Sequence, residues 1–157
     1  MTEPTDDGNR KLRRAIALRL GRMVMEYSRL ETELGLVLYA STRGDARGEM
    51  AFALRRADFS QRVRMLRQHL AAHPRAHPDY AQWARDADAA RRLRNRLIHG
   101  RWEFRDPAAQ VVVNVRGDPF STEQAEVETS VPELDAQLEQ LKALRRRLAA
   151  LRKAAPL

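Results

Sequence analysis

Between Asn9 and about Ala40 the apolar residues Leu12, Ile16, Leu20, Met23, Tyr27, Leu30, Leu34 and Val37 return at steps of three and four. That period places them on one stripe of a long helix, and the stripe must be covered by other elements of the chain. Gly21 and Gly35 sit among better helix formers and mark places of close packing or bending. Ahead of the stripe, residues 1–8 read as a polar tail, with Asp7-Gly8-Asn9 as a helix stop-start signal.

The helical period recurs further along. From Glu49 to about Ala72 the residues Phe59, Val63, Leu66 and Leu70 repeat it. Asp58 is placed to cap a fresh start, so the pattern predicts a short helix followed by a longer one. The prolines after His73 and His77 make this stretch a loop. From Asp79 onward Tyr80, Trp83, Ala87, Ala90, Leu93 and Leu97 form the buried face of a third main helix. Gly100 stands where a left-handed C-terminal cap is expected. Ser130-Val131-Pro132-Glu133 has the capping-box form and opens a last helix. Leu134, Leu138, Leu141, Leu144, Leu148 and Leu151 are its stripe, with Arg145 to Arg147 outside.

After Gly100 the period changes to two. Trp102 and Phe104 alternate with Arg101, Glu103 and Arg105, Asp106-Pro107 marks a turn, and Val111, Val113 and Val115 alternate with Val112, Asn114 and Arg116. This predicts a β-hairpin over about 101–116, its aromatic and valine side packed on the helices and its end at Gly117-Asp118-Pro119. The expected fold is therefore all-α: a bundle of four or five helices with one small β-hairpin before the last helix, in one domain over 9–157. No internal repeat is visible.

Composition narrows the function. The chain of 157 residues has no cysteine, which excludes a disulfide framework, a thiol nucleophile and a cysteine-ligated metal. The segment MTEPTDDGNR lacks the apolar core of a signal peptide. No apolar run approaches the roughly 18 residues that cross a bilayer. The expectation is a soluble cytoplasmic protein with no membrane partner. The net charge is +8, which favours a polyanionic partner, RNA or DNA before anionic membrane. Of the 29 basic residues 26 are Arg, a bias that GC-rich coding also produces, so charge alone does not decide.

The histidines are His69, His73, His77 and His99. The first three are spaced by four, as in metal-binding helices, but Pro74 and Pro78 break the helix that would align them and no carboxylates accompany them. They read as a helix end and loop, and no metal or other cofactor is expected. No phosphate-binding Gly-rich loop, nucleophile elbow or zinc-protease motif is present.

His99 closes the stretch Arg91-Arg92-Leu93-Arg94-Asn95-Arg96-Leu97-Ile98-His99-Gly100-Arg101-Trp102. Spacings of Arg to His recur elsewhere, as from Arg62 and Arg64 to His69. What singles out Arg94 is the Asn directly after it, the His-Gly helix ending and the aromatic strand that follows. Here the sequence resembles the HEPN superfamily, helical domains that include many metal-independent ribonucleases. Their motif is an Arg, usually followed by a polar residue, then a His after four to six intervening positions. Arg94, Asn95 and His99 match it. Members place the motif at the end of a late helix in a bundle that dimerises.

The resemblance implies an endoribonuclease in the manner of a toxin or defence effector with an antitoxin or other partner protein, or else a non-catalytic RNA- or nucleotide-binding or assembly module. In the catalytic case His99 is the general acid/base, Arg94 faces the charge on the phosphorane, and Asn95 either orients His99 or holds a phosphate oxygen. Arg91, Arg92, Arg96 and Arg101 supply a positive field for RNA. Glu31, near the first apolar stripe, is the carboxylate placed to support Arg94. On a straight helix Asn95 and His99 are about 40° apart, whereas Arg94 and His99 are about 140° apart. They converge only if the helix loosens at Gly100 or if two protomers pair these ends. Members neutralised by a minimal nucleotidyltransferase antitoxin often carry Tyr two residues after the His; here that residue is Arg101.

Overall fold

The computed structural model describes residues 6–42, 48–117 and 125–157. In chain order its elements are α1 (Asp6–Ser41), α2 (Glu49–Arg56), α3 (Phe59–Ala72), α4 (Asp79–His99), β1 (Arg101–Asp106), β2 (Val111–Arg116), β3 (Ala125–Ser130) and α5 (Val131–Ala154). The fold is mainly helical, with a small antiparallel sheet. Among the described residues no helix is long and apolar enough to cross a membrane. The chain divides into two compact units, the first comprising Met1–Met25 and Arg92–Gln140, the second Glu26–Arg91 and Leu141–Leu157. Thus α1, α4 and α5 each contribute a segment to both units.

In the first unit Leu12, Ile16 and Met23 of α1, Leu97 of α4, Val112 of β2, and Val131, Leu134 and Leu138 at the start of α5 form one buried cluster. Asp7, Gly8 and Asn9 lie inside α1, which starts at Asp6 and so ahead of the expected start. Asp7 holds the first turn by ion pairs to Arg10 at 2.8 Å and Lys11 at 2.7 Å, the three- and four-residue spacing that brings side chains together on a helix. The expected polar tail up to Thr5 and the expected stop at Asp118-Pro119 fall outside the described residues.

The expected two-stranded hairpin is a three-stranded sheet in the order β1-β2-β3, antiparallel throughout. β3 carries one strongly apolar residue, Val127, between Glu126 and Glu128, and charged residues of this kind are how an edge strand is kept from pairing further. The turn after β1 forms as expected: Asp106 Oδ1 accepts from the Ala108 and Ala109 amides at 3.0 and 3.1 Å, the Asx geometry of a turn.

The register corrects the face of β2. Trp102 lies opposite Asn114 and Phe104 opposite Val112, and residues paired across an antiparallel ladder share a face. The side packed on the helices is therefore Trp102, Phe104, Val112 and Asn114, and not the side of Val111, Val113 and Val115. Val113 and Val115 are buried as well. The Trp102 indole N–H donates to the Leu97 carbonyl at 3.0 Å, tying β1 to the last turns of α4.

In the second unit Tyr27, Leu30, Leu34, Val37 and Leu38 of α1 pack with Leu54, Phe59, Val63, Leu66, Tyr80, Trp83 and the α5 residues Leu141, Leu144, Leu148 and Leu151. Asp58 separates α2 from α3 by a complete capping box: it accepts from the Gln61 amide and its own amide donates to the Gln61 side chain, both at 2.8 Å. Trp83 donates to the Leu144 carbonyl at 2.9 Å and the Tyr80 hydroxyl to the Ala155 carbonyl at 3.0 Å. Gly35 matters for close approach, since a Cβ there would come within 3.2 Å of the Arg62 guanidinium, which reaches the Glu31 carbonyl at 3.0 Å. α1 ends at Ser41 and α2 starts at Glu49, and residues 43–47 between them are outside the described residues.

Candidate functional site

The last turns of α4 carry the Arg94-Asn95-x-x-x-His99 stretch. In the first unit Arg92, Arg96 and His99 are exposed, while Arg94 and Asn95 are half-buried. Arg94 Nη1 donates to Asn95 Oδ1 at 3.0 Å. The structure thus brings Arg94 and Asn95 together and gives the Asn95 oxygen a partner within the motif. The helix does not loosen at its end: the Gly100 amide still donates to the Arg96 carbonyl at 3.1 Å. With regular helical geometry kept to His99, Arg94 and His99 diverge by about 140° on their own helix.

Arg101 opens β1 and donates to Glu103 at 2.8 Å. Arg91 is the last α4 residue of the second unit and lies 3.7 Å from Asp88. Glu31 also belongs to the second unit, half-buried, with its main-chain oxygen taken by Arg62. Two carboxylates, the half-buried Glu103 of β1 and the exposed Glu126 of β3, temper the positive charge near the sheet. Arg105 donates to both oxygens of Glu126 at 2.9 Å, and this bond, then the charge of Glu126, raises the Arg105 pKa.

Gly100 has a different role from the expected one. Its backbone is not in the left-handed region; a Cβ there would instead overlap the carboxamide of Asn114. The residue is small because β2 presses a side chain onto the helix end. Asn114 is 1% exposed, and neither its Oδ1 nor its Nδ2 has a hydrogen-bond partner. Gln137 Oε1 on α5 is likewise buried and unpaired. The Thr129 hydroxyl on β3 is buried outside hydrogen-bonding geometry, although it lies near enough to Glu133 to add the smallest contribution to that carboxyl's lowered pKa. The main contributions there are the Ser130 hydroxyl and then the Ser130 amide, which both donate to the Glu133 carboxylate. These polar groups line a cavity of about 110 Å3 in the first unit.

Sequence reasoning missed Asn114, Gln137 and Thr129 as a group. The available signal was Asn114 itself, the one polar residue within Val111-Val112-Val113-Asn114-Val115.

The other histidines gather in the second unit. The His69 and His73 rings stack with centroids 4.1 Å apart, and with His77 and Arg75 they line a cavity of about 650 Å3. Burial, and then the adjacent His73, hold the His69 pKa below its ordinary value. Among the described residues no three His, Asp or Glu side chains come together to hold a metal ion. In comparisons with family models, curated proteins and solved structures, the chain has no match in any of the three.

Proposed function

We propose that this protein is a cytoplasmic, metal-independent endoribonuclease of HEPN type, acting as a homodimer in the manner of a toxin or defence effector held in check by an antitoxin or other partner protein. The observation that carries the reading is the Arg94-Asn95-x-x-x-His99 stretch at the C-terminal end of α4, with Arg94 bonded to Asn95 and His99 open to solvent. An exposed imidazole can take the proton of a ribose 2′-hydroxyl or return one to the leaving oxygen. A guanidinium offers a planar, permanently charged fork to the phosphorane. The 2′-oxygen bonds to the adjacent phosphorus and the bond to the 5′-oxygen breaks, leaving a 2′,3′-cyclic phosphate and a 5′-hydroxyl. DNA lacks the attacking hydroxyl and is not a substrate.

The divergence of Arg94 and His99 on one regular helix supports a composite site, in which each copy supplies one of the two. Asn95, bonded to Arg94, acts as a positioning residue for the guanidinium. Arg91, Arg92, Arg96 and Arg101 draw in the strand.

The test is cleavage of labelled RNA in EDTA by the wild type and by His99→Ala prepared identically. His99→Ala lowers the rate by roughly a hundredfold to ten-thousandfold without changing the melting temperature, and the wild-type products end in cyclic phosphate. Equal cleavage by both proteins removes His99 from the mechanism. A second reading, a non-catalytic module that binds RNA or nucleotide or assembles with a partner, is favoured by one observation: α4 stays regular up to His99, so Arg94 and His99 do not converge within one chain. Salt-sensitive RNA binding without cleavage by either protein establishes it.

A further inference from the structure

The cavity beside Gly100 lies wholly in the first unit, between the helix-facing side of the sheet and segments of α4 and α5. Its walls are of two kinds. Leu93, Leu97 and Val127 are apolar, while Asn114, Thr129 and Gln137 present hydrogen-bonding groups. Asn114 and Gln137 line it, and both carboxamide atoms of Asn114 and the Oε1 of Gln137 are buried without a partner. In a strand of valines a fifth valine would fit Asn114's place more cheaply, since an unpaired polar group loses its hydration on burial. Holding the carboxamide there also requires glycine at position 100.

The chemistry of the walls selects a ligand class. Of the two carboxylates at this cavity, Glu133 is engaged by the Ser130 amide and hydroxyl at 2.6 and 2.9 Å, and Glu128 pairs with Val113 on the face of the sheet opposite to Asn114, so Asn114, Thr129 and Gln137 offer neutral donors and acceptors. Carboxamides present a donor and an acceptor side by side, the arrangement that pairs with the edge of a base. Apolar side chains on either side suit the faces of a flat ring. A volume of about 110 Å3 is nearer to that of a single ring than to that of a whole nucleotide. Arg96 stands at the same cavity with its side chain in solvent, where an attached phosphate would lie.

We infer that this cavity is a base pocket, which takes one unpaired nucleobase from an RNA strand and reads its edge with the Asn114 and Gln137 carboxamides while Arg96 meets the adjoining phosphate. Single-stranded RNA is recognised by drawing bases out of the stack in this way. The choice of RNA as the source of the base rests on the ribonuclease reading; the need for a neutral donor–acceptor ligand does not.

The test uses mononucleotides, which present a base but no internucleotide bond. The 15N-labelled wild type is titrated with adenosine, guanosine, cytidine and uridine 5′-monophosphates while the side-chain amide signals of Asn114 and Gln137 are followed. At least one of the four shifts both signals saturably. Asn114→Val abolishes the binding, and Gln137→Leu weakens it roughly tenfold, as expected for loss of one edge contact. If Asn114→Val fails to fold, Gln137→Leu carries the test alone. Side-chain signals unmoved by all four nucleotides, or affinity unchanged in the substituted proteins, overturns the pocket. Binding without any RNA cleavage by the wild type keeps the pocket and removes the ribonuclease reading. Cleavage without base binding does the reverse.

Discussion

Glu26 in the second unit and Asn114 in the first are almost equally withdrawn from water, at 3% and 1% exposure, yet their surroundings differ. Burial pushes the Glu26 carboxyl up, but the hydrogen bond and charge of Arg145, and then those of Arg29, outweigh it and hold its pKa below the usual carboxylate range. Tyr80 and Trp83 nearby also end on carbonyl oxygens. Asn114 has no such partner, and Thr129 and Gln137 share its cavity. The second unit ties most of its buried polar groups into its own cohesion, with the Nε atoms of Arg62 and Arg91 left without a hydrogen-bond partner. The first keeps some in reserve, the pattern found where a fold gives up stability to hold a site ready.

Substitutions can break or sharpen this contrast. Trp83 is fully buried, so Trp83→Ala costs about 3–5 kcal/mol, read from the denaturant midpoint; a loss below about 1 kcal/mol would mean the second unit is not the better-packed one. Gly100→Ala costs about 1–3 kcal/mol, because the new methyl overlaps Asn114. Adding Asn114→Ala relieves that overlap, and the double-mutant cycle then shows a favourable coupling. If the two losses simply add, the contact is not what restricts position 100.

Glu26→Gln removes a charge-assisted bond worth about 2 kcal/mol at neutral pH. The sign with pH is definite. A carboxyl whose pKa is lower in the folded state stabilises the protein above its unfolded pKa, and this contribution is lost as pH falls through the folded pKa. The stability difference between wild type and Glu26→Gln therefore shrinks in acid, as thermal melts from pH 7 down to pH 3 should show. A constant difference would refute the ion-pair account. Smallest and opposite in sign is Asn114→Val, which leaves stability unchanged or raises it by up to about 1 kcal/mol by removing unpaired groups. A clear loss of melting temperature would place Asn114 among the cohesive residues and dissolve the contrast between the units.

Much of the helical scaffold is legible along the chain because its signals are local. Asp58 with Gln61, and Ser130 with Glu133, announce helix starts through side chains that act within three residues. The leucines of α5 are all buried as their spacing predicts. The sheet is less legible for a physical reason. Val111 to Val113 look alike on either face, so alternation carries no information about which side turns inward, and only pairing with Trp102 and Phe104 resolves it. β3 was silent because Ala125-Glu126-Val127-Glu128-Thr129-Ser130 offers a single apolar side chain to bury. Arg94, Asn95 and His99 stand out by their order along one helix. Gly100 and Asn114 meet only through tertiary packing across 14 positions of chain, and nothing in the local sequence of either announces the other.

The chain's two tryptophans fall one in each unit. Trp83 lies in the second, with no exposed surface; Trp102 lies in the first, half-buried and hydrogen-bonded to Leu97. Each indole is a native optical label for its own surroundings. Trp102→Phe leaves an emitter in a dry core, and Trp83→Phe leaves one at the border with solvent, where emission lies further to the red. Followed through one urea titration, the two single-tryptophan proteins record the unfolding of each unit separately. Coincident curves mark one cooperative transition, and displaced curves mark two.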